Sequence, residues 1–214
     1  MTKEEYSVFM SGVGGQGLVL LSNIVGTACA SAGLRAITGE QHGLSQRSGS
    51  INIHLRIGGE VRSPLIPIGG ADVLLSLEAL EALRYVEYLR PGGVALISSR
   101  IQHPVKETQQ HTKEKEARYF SAGEVERRLR GLTDNVTVVD ALGLAREAGN
   151  ALAENTVMLG ALSALADFPV PEDALRGAIG ERVPPKAVDV NLRAFDIGIR
   201  VTREGVCNAV KCRK

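Results

Sequence analysis

An α/β domain, with helices on both faces of a mixed sheet and a helical C-terminal part, is the fold class this sequence predicts. Three observations carry it. The chain is 44% hydrophobic and only 4% aromatic, lacks Trp and holds 24 glycines, so its core is aliphatic and punctuated by Gly, as helices on a parallel-type sheet require. Its start reads strand, glycine turn, helix. Its last third reads almost wholly as helices. A length of 214 residues is somewhat above the ~150-residue prior for a domain, and one domain over 1–214 is expected.

The elements follow in order. Tyr6–Ser11 reads as a buried strand and Gly12–Gly17 as a glycine loop. From Gln16 to Ala32 the apolar positions Leu18, Leu21, Val25 and Cys29 recur at helical spacing, and Gly33 is placed to end that helix. Leu34–Thr38 is a second strand, and Gln41–Ser50 a polar loop. Ile51–Ile57 alternates, with four apolar residues on one face and Asn52, His54 and Arg56 on the other. Gly58-Gly59 then reads as a hairpin turn with a return strand at Glu60–Ser63. Ala71–Leu75 is a strand and Glu78–Leu89 an amphipathic helix ended by Pro91-Gly92-Gly93. Val94–Ser98 is the next strand, and Gln102–Ala117 a solvated polar excursion. Helix Glu124–Leu132, strand Val136–Val139 and helices Ala141–Gly149, Asn155–Ala166, Glu172–Gly180 and Val188–Arg203 complete the chain.

Gly12-Val13-Gly14-Gly15-Gln16-Gly17 satisfies G-x-G-x-x-G between a strand and a helix, which makes the layered sheet Rossmann-like. Glycines allow a tight turn and close backbone approach, and free N–H groups at a helix start attract an anion. Packing of the first helix against the sheet would also explain them. Leu18-Val19 stands where a phosphate-binding P-loop carries Lys and Ser/Thr, so an ATPase is disfavoured. Glu40, 23 residues after Gly17, sits where a dinucleotide-binding domain wants an acid for the ribose. The link Gln41–Ser50 is nevertheless too short for a parallel crossover, which disfavours an ordinary NAD dehydrogenase.

Glu40–Ser50 is the segment with the most functional character. Glu40, His42, Gln46 and Arg47 cluster there, and Leu44 is its only aliphatic residue. Arg47 suits a phosphate or carboxylate and His42 can donate, accept or titrate. A solvated, self-satisfied turn is the alternative. His54 reads as structural, and His103 and His111 as chemically idle. Ser45, Ser48 and Ser50 lack a nucleophile elbow, Cys29 reads as a small core residue, and no H-E-x-x-H pair is present.

Twenty-five basic and 24 acidic residues leave a formal charge of +1, without the clustered positive excess of a nucleic-acid binder. Cys29, Cys207 and Cys212 are too few for a disulfide framework or a four-thiolate cluster. The stretch Leu18–Leu34 is too interrupted for a membrane span, and Met1–Tyr6 does not read as a signal peptide. A cytoplasmic protein is expected, with no nucleic-acid or membrane partner.

Several segments together resemble one family. The run Gly12–Gly17, then Glu40-Gln41-His42-Gly43-Leu44-Ser45-Gln46-Arg47-Ser48-Gly49-Ser50, then Ser63-Pro64-Leu65-Ile66-Pro67 resemble the gamma-type domain of 2-oxoacid:ferredoxin oxidoreductases. Ala71–Leu75 with Leu77–Arg84 looks most like the small beta subunits of the indolepyruvate branch. Pro91-Gly92-Gly93 and Asn155–Ala161 are similar to later family segments. The likeness spans most of residues 6–200, with Ser48 standing where the family usually has glycine.

The resemblance implies oxidative decarboxylation of arylpyruvates derived from aromatic amino acids, with coenzyme A taking the acyl group and ferredoxin the electrons. Thiamine diphosphate, Mg and 4Fe-4S clusters are then expected on the large alpha subunit. This chain, without a G-D-G thiamine-type motif, is expected to bind none of them alone. It would complete a site built mainly by that partner, meeting ferredoxin through the complex, with a homodimer as the form open to it when isolated. Gly12, Gly14, Gly15, Gln16, Gly17, Glu40 and Arg47 are the candidate cofactor-binding residues, and His42 and Gln46 the catalytic candidates. A stand-alone Rossmann-like nucleotide-binding oxidoreductase and a purely structural assembly subunit are the alternatives.

Overall fold

The computed structural model describes residues 5–43, 49–102 and 120–205. Six strands, β1 (Glu5–Val13), β2 (Ala36–His42), β3 (Ser50–Gly58), β4 (Ala71–Ser76), β5 (Leu89–Ser98) and β6 (Val136–Val139), form one sheet in the order β2-β3-β1-β4-β5-β6. β1 is the hub, antiparallel to β3 on one side and parallel to β4 on the other. β2 is antiparallel to β3, whereas β4, β5 and β6 run parallel. The mixed α/β architecture agrees with the sequence.

Alternation along the strands gives the sheet two distinct faces. Val8, Met10, Ile53 and Leu55 face a large apolar core with α1 (Leu18–Ser31). The C-terminal helices add Ala145 from α4 (Ala141–Ala148), Leu159 from α5 (Glu154–Ser163), Ile179 from α6 (Glu172–Arg182) and Phe195 from α7 (Val188–Gly205). The opposite face is thinner. There Phe9 and Leu74 pack beneath α2 (Ala79–Arg84) and α3 (Ala122–Arg130). Ser121 closes a capping box with Glu124 at the start of α3, which satisfies two of its free amides.

α5 is buried at every position, so its neighbours must come very close. A Cβ on Gly160 would overlap the Phe195 carbonyl oxygen, and one on Gly198 would overlap that of Val157. The two glycines let α5 and α7 touch backbone to backbone.

Four sequence expectations need correction. Residues Glu60–Ser63 form no strand, because β3 is already paired on both edges by β1 and β2; the true hairpin is β2–β3. The helix expected over Glu78–Leu89 is split into α2, a 3₁₀ turn at Val86–Tyr88 and the start of β5. Pro91-Gly92-Gly93 lies inside β5, where the register with β4 shifts; an irregularity tolerates the missing proline N–H. Finally, β1 runs through Gly12-Val13 and β2 through His42, so both expected loops begin later. Helix α3, strand β6 and the C-terminal helices lie where the periodicity placed them. The polar excursion falls mostly outside the described residues.

Candidate functional site

The carboxyl ends of β1, β4 and β5 meet beside the glycine turn, at the place where the strand on one side of β1 runs antiparallel and on the other parallel. Ligands of open α/β sheets bind at such an edge. The turn is braced from within. Gln16, 5% exposed, accepts the Val13 N–H on Oε1 at 2.8 Å and donates Nε2 to the Leu77 carbonyl at 3.0 Å. Its side chain therefore ties β1 to the end of β4 instead of facing a ligand. A Cβ on Gly12 would press on both Gln16 and Leu77.

Gly17, at φ +77, precedes α1. Its carbonyl accepts Asn155 Nδ2 at 3.1 Å, and a Cβ there would lie 2.6 Å from that nitrogen. Among the described residues no side chain caps α1, and its first turn holds no acid. The first-turn amides of an α-helix lack intrahelical partners, a setting that favours an anion.

The two loops singled out in the sequence do meet. Gly14 donates its N–H to the Gly49 carbonyl at 3.0 Å, and Gly43 donates to the Ser50 carbonyl at 3.3 Å. His42 shares a cross-strand row with Gly12 through Ile51, on the order of 10 Å away at two strand spacings. Glu40 lies in the row of Ile53 and Met10, exposed on the edge strand. Because β3 separates β2 from β1, Glu40 is not beside the glycine turn as a ribose-binding acid would be. Gln46 and Arg47 lie outside the described residues.

The structure adds residues that periodicity alone did not mark. Glu78, 1% exposed, caps α2 by accepting Glu81 N–H at 2.8 Å and also accepts Gln102 N–H at 2.9 Å. Burial raises its pKa, opposed by those two amides. Arg100, at the end of β5, pairs with buried Glu154 at the start of α5; the second oxygen of Glu154 has no partner among the described residues. The signal for Asn155 was its place in a family-like segment, and for Glu78 and Glu81 their three-residue spacing on one helix.

His54 is structural, as expected, but it is buried. Nδ1 accepts the Ile66 N–H at 3.0 Å, the ring packs edge-on against Phe9 and Tyr88, and burial lowers its pKa. Cys29 is also buried, and burial pushes its thiol up to about 12. Among the described residues it stands alone as a buried thiol, and no group of three metal-ligating side chains occurs. These residues do not fit an iron–sulfur cluster.

The model of the family described as pyruvate ferredoxin/flavodoxin oxidoreductase matches residues 7–201. The chain belongs to that family. It is 40% identical over 202 residues to indolepyruvate oxidoreductase subunit IorB of Pyrococcus horikoshii, covering 94% of this chain and 98% of that protein. Among solved structures, the gamma subunit of a keto/oxoacid ferredoxin oxidoreductase from Geobacter sulfurreducens superposes with a TM-score of 0.68 at 26% identity, over 98% of this chain and all of that one. A 2-oxoglutarate:ferredoxin oxidoreductase from Magnetococcus marinus, solved with 2-oxoglutarate, coenzyme A and succinyl-CoA, shares the fold at a TM-score of 0.69 and 20% identity, over 94% of this chain and 32% of that one. In that longer chain the same fold is one part among others.

Proposed function

We propose that this chain is the small subunit of a cytoplasmic indolepyruvate-type 2-oxoacid:ferredoxin oxidoreductase and completes a site built on a larger alpha subunit. The reaction releases carbon dioxide from the 2-oxoacid, transfers the acyl group to the coenzyme A sulfur, and sends the two electrons to ferredoxin. Thiamine diphosphate, Mg and the 4Fe-4S clusters belong to the partner. The observation that carries this reading is the near full-length likeness to an indolepyruvate oxidoreductase small subunit. The carboxyl edge of the sheet, where the glycine turn and the β2–β3 connection are joined by one backbone hydrogen bond, is the face we assign to that partner.

In this reading the uncapped start of α1 and the Arg47 guanidinium attract the phosphates of coenzyme A. His42 and Gln46 order its approach to the thiamine centre. Gly12, Gly14, Gly15 and Gly17 allow the close passage, with Gln16 as their internal brace. Glu40, exposed on β2, is available to a partner side chain. Without its partner the chain would leave this edge uncovered and self-associate through it.

Co-expression with the large subunit tests the proposal. The expected product is a brown complex that reduces ferredoxin with indolepyruvate and coenzyme A. In it, Arg47→Ala raises the KM for coenzyme A. Failure to associate would remove the subunit assignment, and an unchanged KM would remove Arg47 from its role. A chain that instead binds NAD(P) or FAD by itself would be a stand-alone oxidoreductase.

A further inference from the structure

Helix α2 carries a buried acid that neither the fold nor the proposed function uses. Glu81 is 6% exposed. One of its oxygens takes the Ser50 hydroxyl in a short hydrogen bond, and the other takes Arg84 Nε at 3.1 Å. Tyr85 Oη lies 2.9 Å from Ser50 Oγ and 3.2 Å from Asn52 Nδ2. Counting protons orients the set. A carboxylate paired with Arg84 only accepts, so the single Ser50 proton goes to Glu81. Tyr85 must then give its own proton to Ser50 Oγ and accept the Asn52 N–H. Asn52, Tyr85, Ser50 and Glu81 form one directional chain, ending on the acid.

Helix α2 does not depend on this chain for its place. Ala79 and Ala82 bury against the sheet, and Glu78 supplies the cap. Its charged partner Arg84 is 61% exposed, so the pair adds little to stability, and packing alone gives no reason for an acid at this position. Ser50, by contrast, sits at a junction. Its side chain meets α2, its carbonyl takes Gly43 N–H, and the adjoining Gly49 carbonyl takes Gly14 N–H.

We propose that Glu81 is a positioning residue: acting through Ser50, it sets the Gly49 carbonyl and thereby the glycine turn at the partner-facing edge. This rests on the reading of that edge as part of the coenzyme A approach. The role belongs to the chain's described residues alone and involves no bond made or broken.

The test uses the full chain assembled with its large subunit. Glu81→Leu and Ser50→Ala are each expected to raise the KM for coenzyme A about tenfold, the equivalent of one charge-assisted hydrogen bond. With either, kcat per folded complex stays within about twofold, even where loss of the buried hydrogen bond lowers the subunit's Tm. The double variant is expected to do no more than either single one, since both cut the same link. Glu81→Gln, whose amide oxygen still accepts the Ser50 proton, restores most of the loss. Additive effects, an unchanged KM, or a loss of activity accounted for by the folded fraction alone would each overturn the role. Arg47→Ala in the same series separates the two levels. A KM shift there with none at Glu81 or Ser50 rejects this inference alone, and no shift in any variant removes the reading beneath it.

Discussion

The two faces of strand β3 are held by opposite physics. Ile51, Ile53, Leu55 and Ile57 lie against the thick helical layer, where shape and volume decide the fit. Ser50, Asn52, His54 and Arg56 lie on the other side, and each reaches a specific polar partner. Ser50 and Asn52 bond to α2 and Tyr85, His54 to Ile66 N–H, and Arg56 to Glu5 and to the Ser63 carbonyl. The first face resists water by close packing. The second is thin; directional hydrogen bonds fasten residues 63–66 to it and link it to α2, whose own place is held by Ala79, Ala82 and the Glu78 cap. The polar face also ends at the carboxyl edge, so the elements it fastens are those that hold the candidate site.

Three experiments would break or sharpen this contrast. The largest effect is expected from Gly198→Ala, which drives a methyl into the Val157 backbone; overpacking of this kind costs about 3 kcal/mol or more where backbone cannot yield. A drop in the urea midpoint measures it, and a loss below ~1 kcal/mol would mean the α5–α7 contact is loose. Next, adjacent positions on β3 compare the faces directly. Leu55→Ala is expected to cost about 2–5 kcal/mol through the cavity it leaves. Arg56→Met keeps the bulk but removes the part-buried pair with Glu5, whose carboxylate water can still reach, at about 1 kcal/mol or less. Equal losses would erase the distinction.

The smallest effect is a pH dependence confined to the polar face. The folded His54 pKa lies below its unfolded value near 6.5, so the unfolded chain binds the proton first. His54 therefore contributes full stability above about pH 6.5, and that contribution falls as pH drops toward its folded value. Protonation at Nδ1 would also break the bond to Ile66. The melting temperature of the wild type is expected to fall more between pH 7 and 5 than that of His54→Asn. Glu78, whose pKa is raised by burial, works in the opposite direction, and subtraction of the variant curve isolates the histidine. Parallel curves would show that the imidazole is not excluded from water as its contacts require.

Much of this was legible in the sequence. Alternation in Ile51–Ile57 and helical spacing in Leu18–Cys29 named their elements, because both periods express which side chains leave water. The same logic failed at Glu60–Ser63: a short polar run after two glycines resembles a return strand, and only the occupation of both edges of β3 excludes one. At Asn52 and His54 it could not say what would cover the polar face, although His54 does hold the structural place expected of it. A polar face reads as solvated until something covers it, and Phe9, Tyr85 and Tyr88 come from elsewhere in the chain to do so.

The sequence by itself determined the fold class, the glycine turn and the family, since periodicity and contiguous motifs are local properties of a chain. Only the tertiary structure decided that Gln16 braces the turn, that Glu40 stands a strand away from it, and that Ser50 answers to Glu81. Those are contacts between residues far apart in sequence or across strands, and their partners are chosen by strand order, which no local pattern encodes.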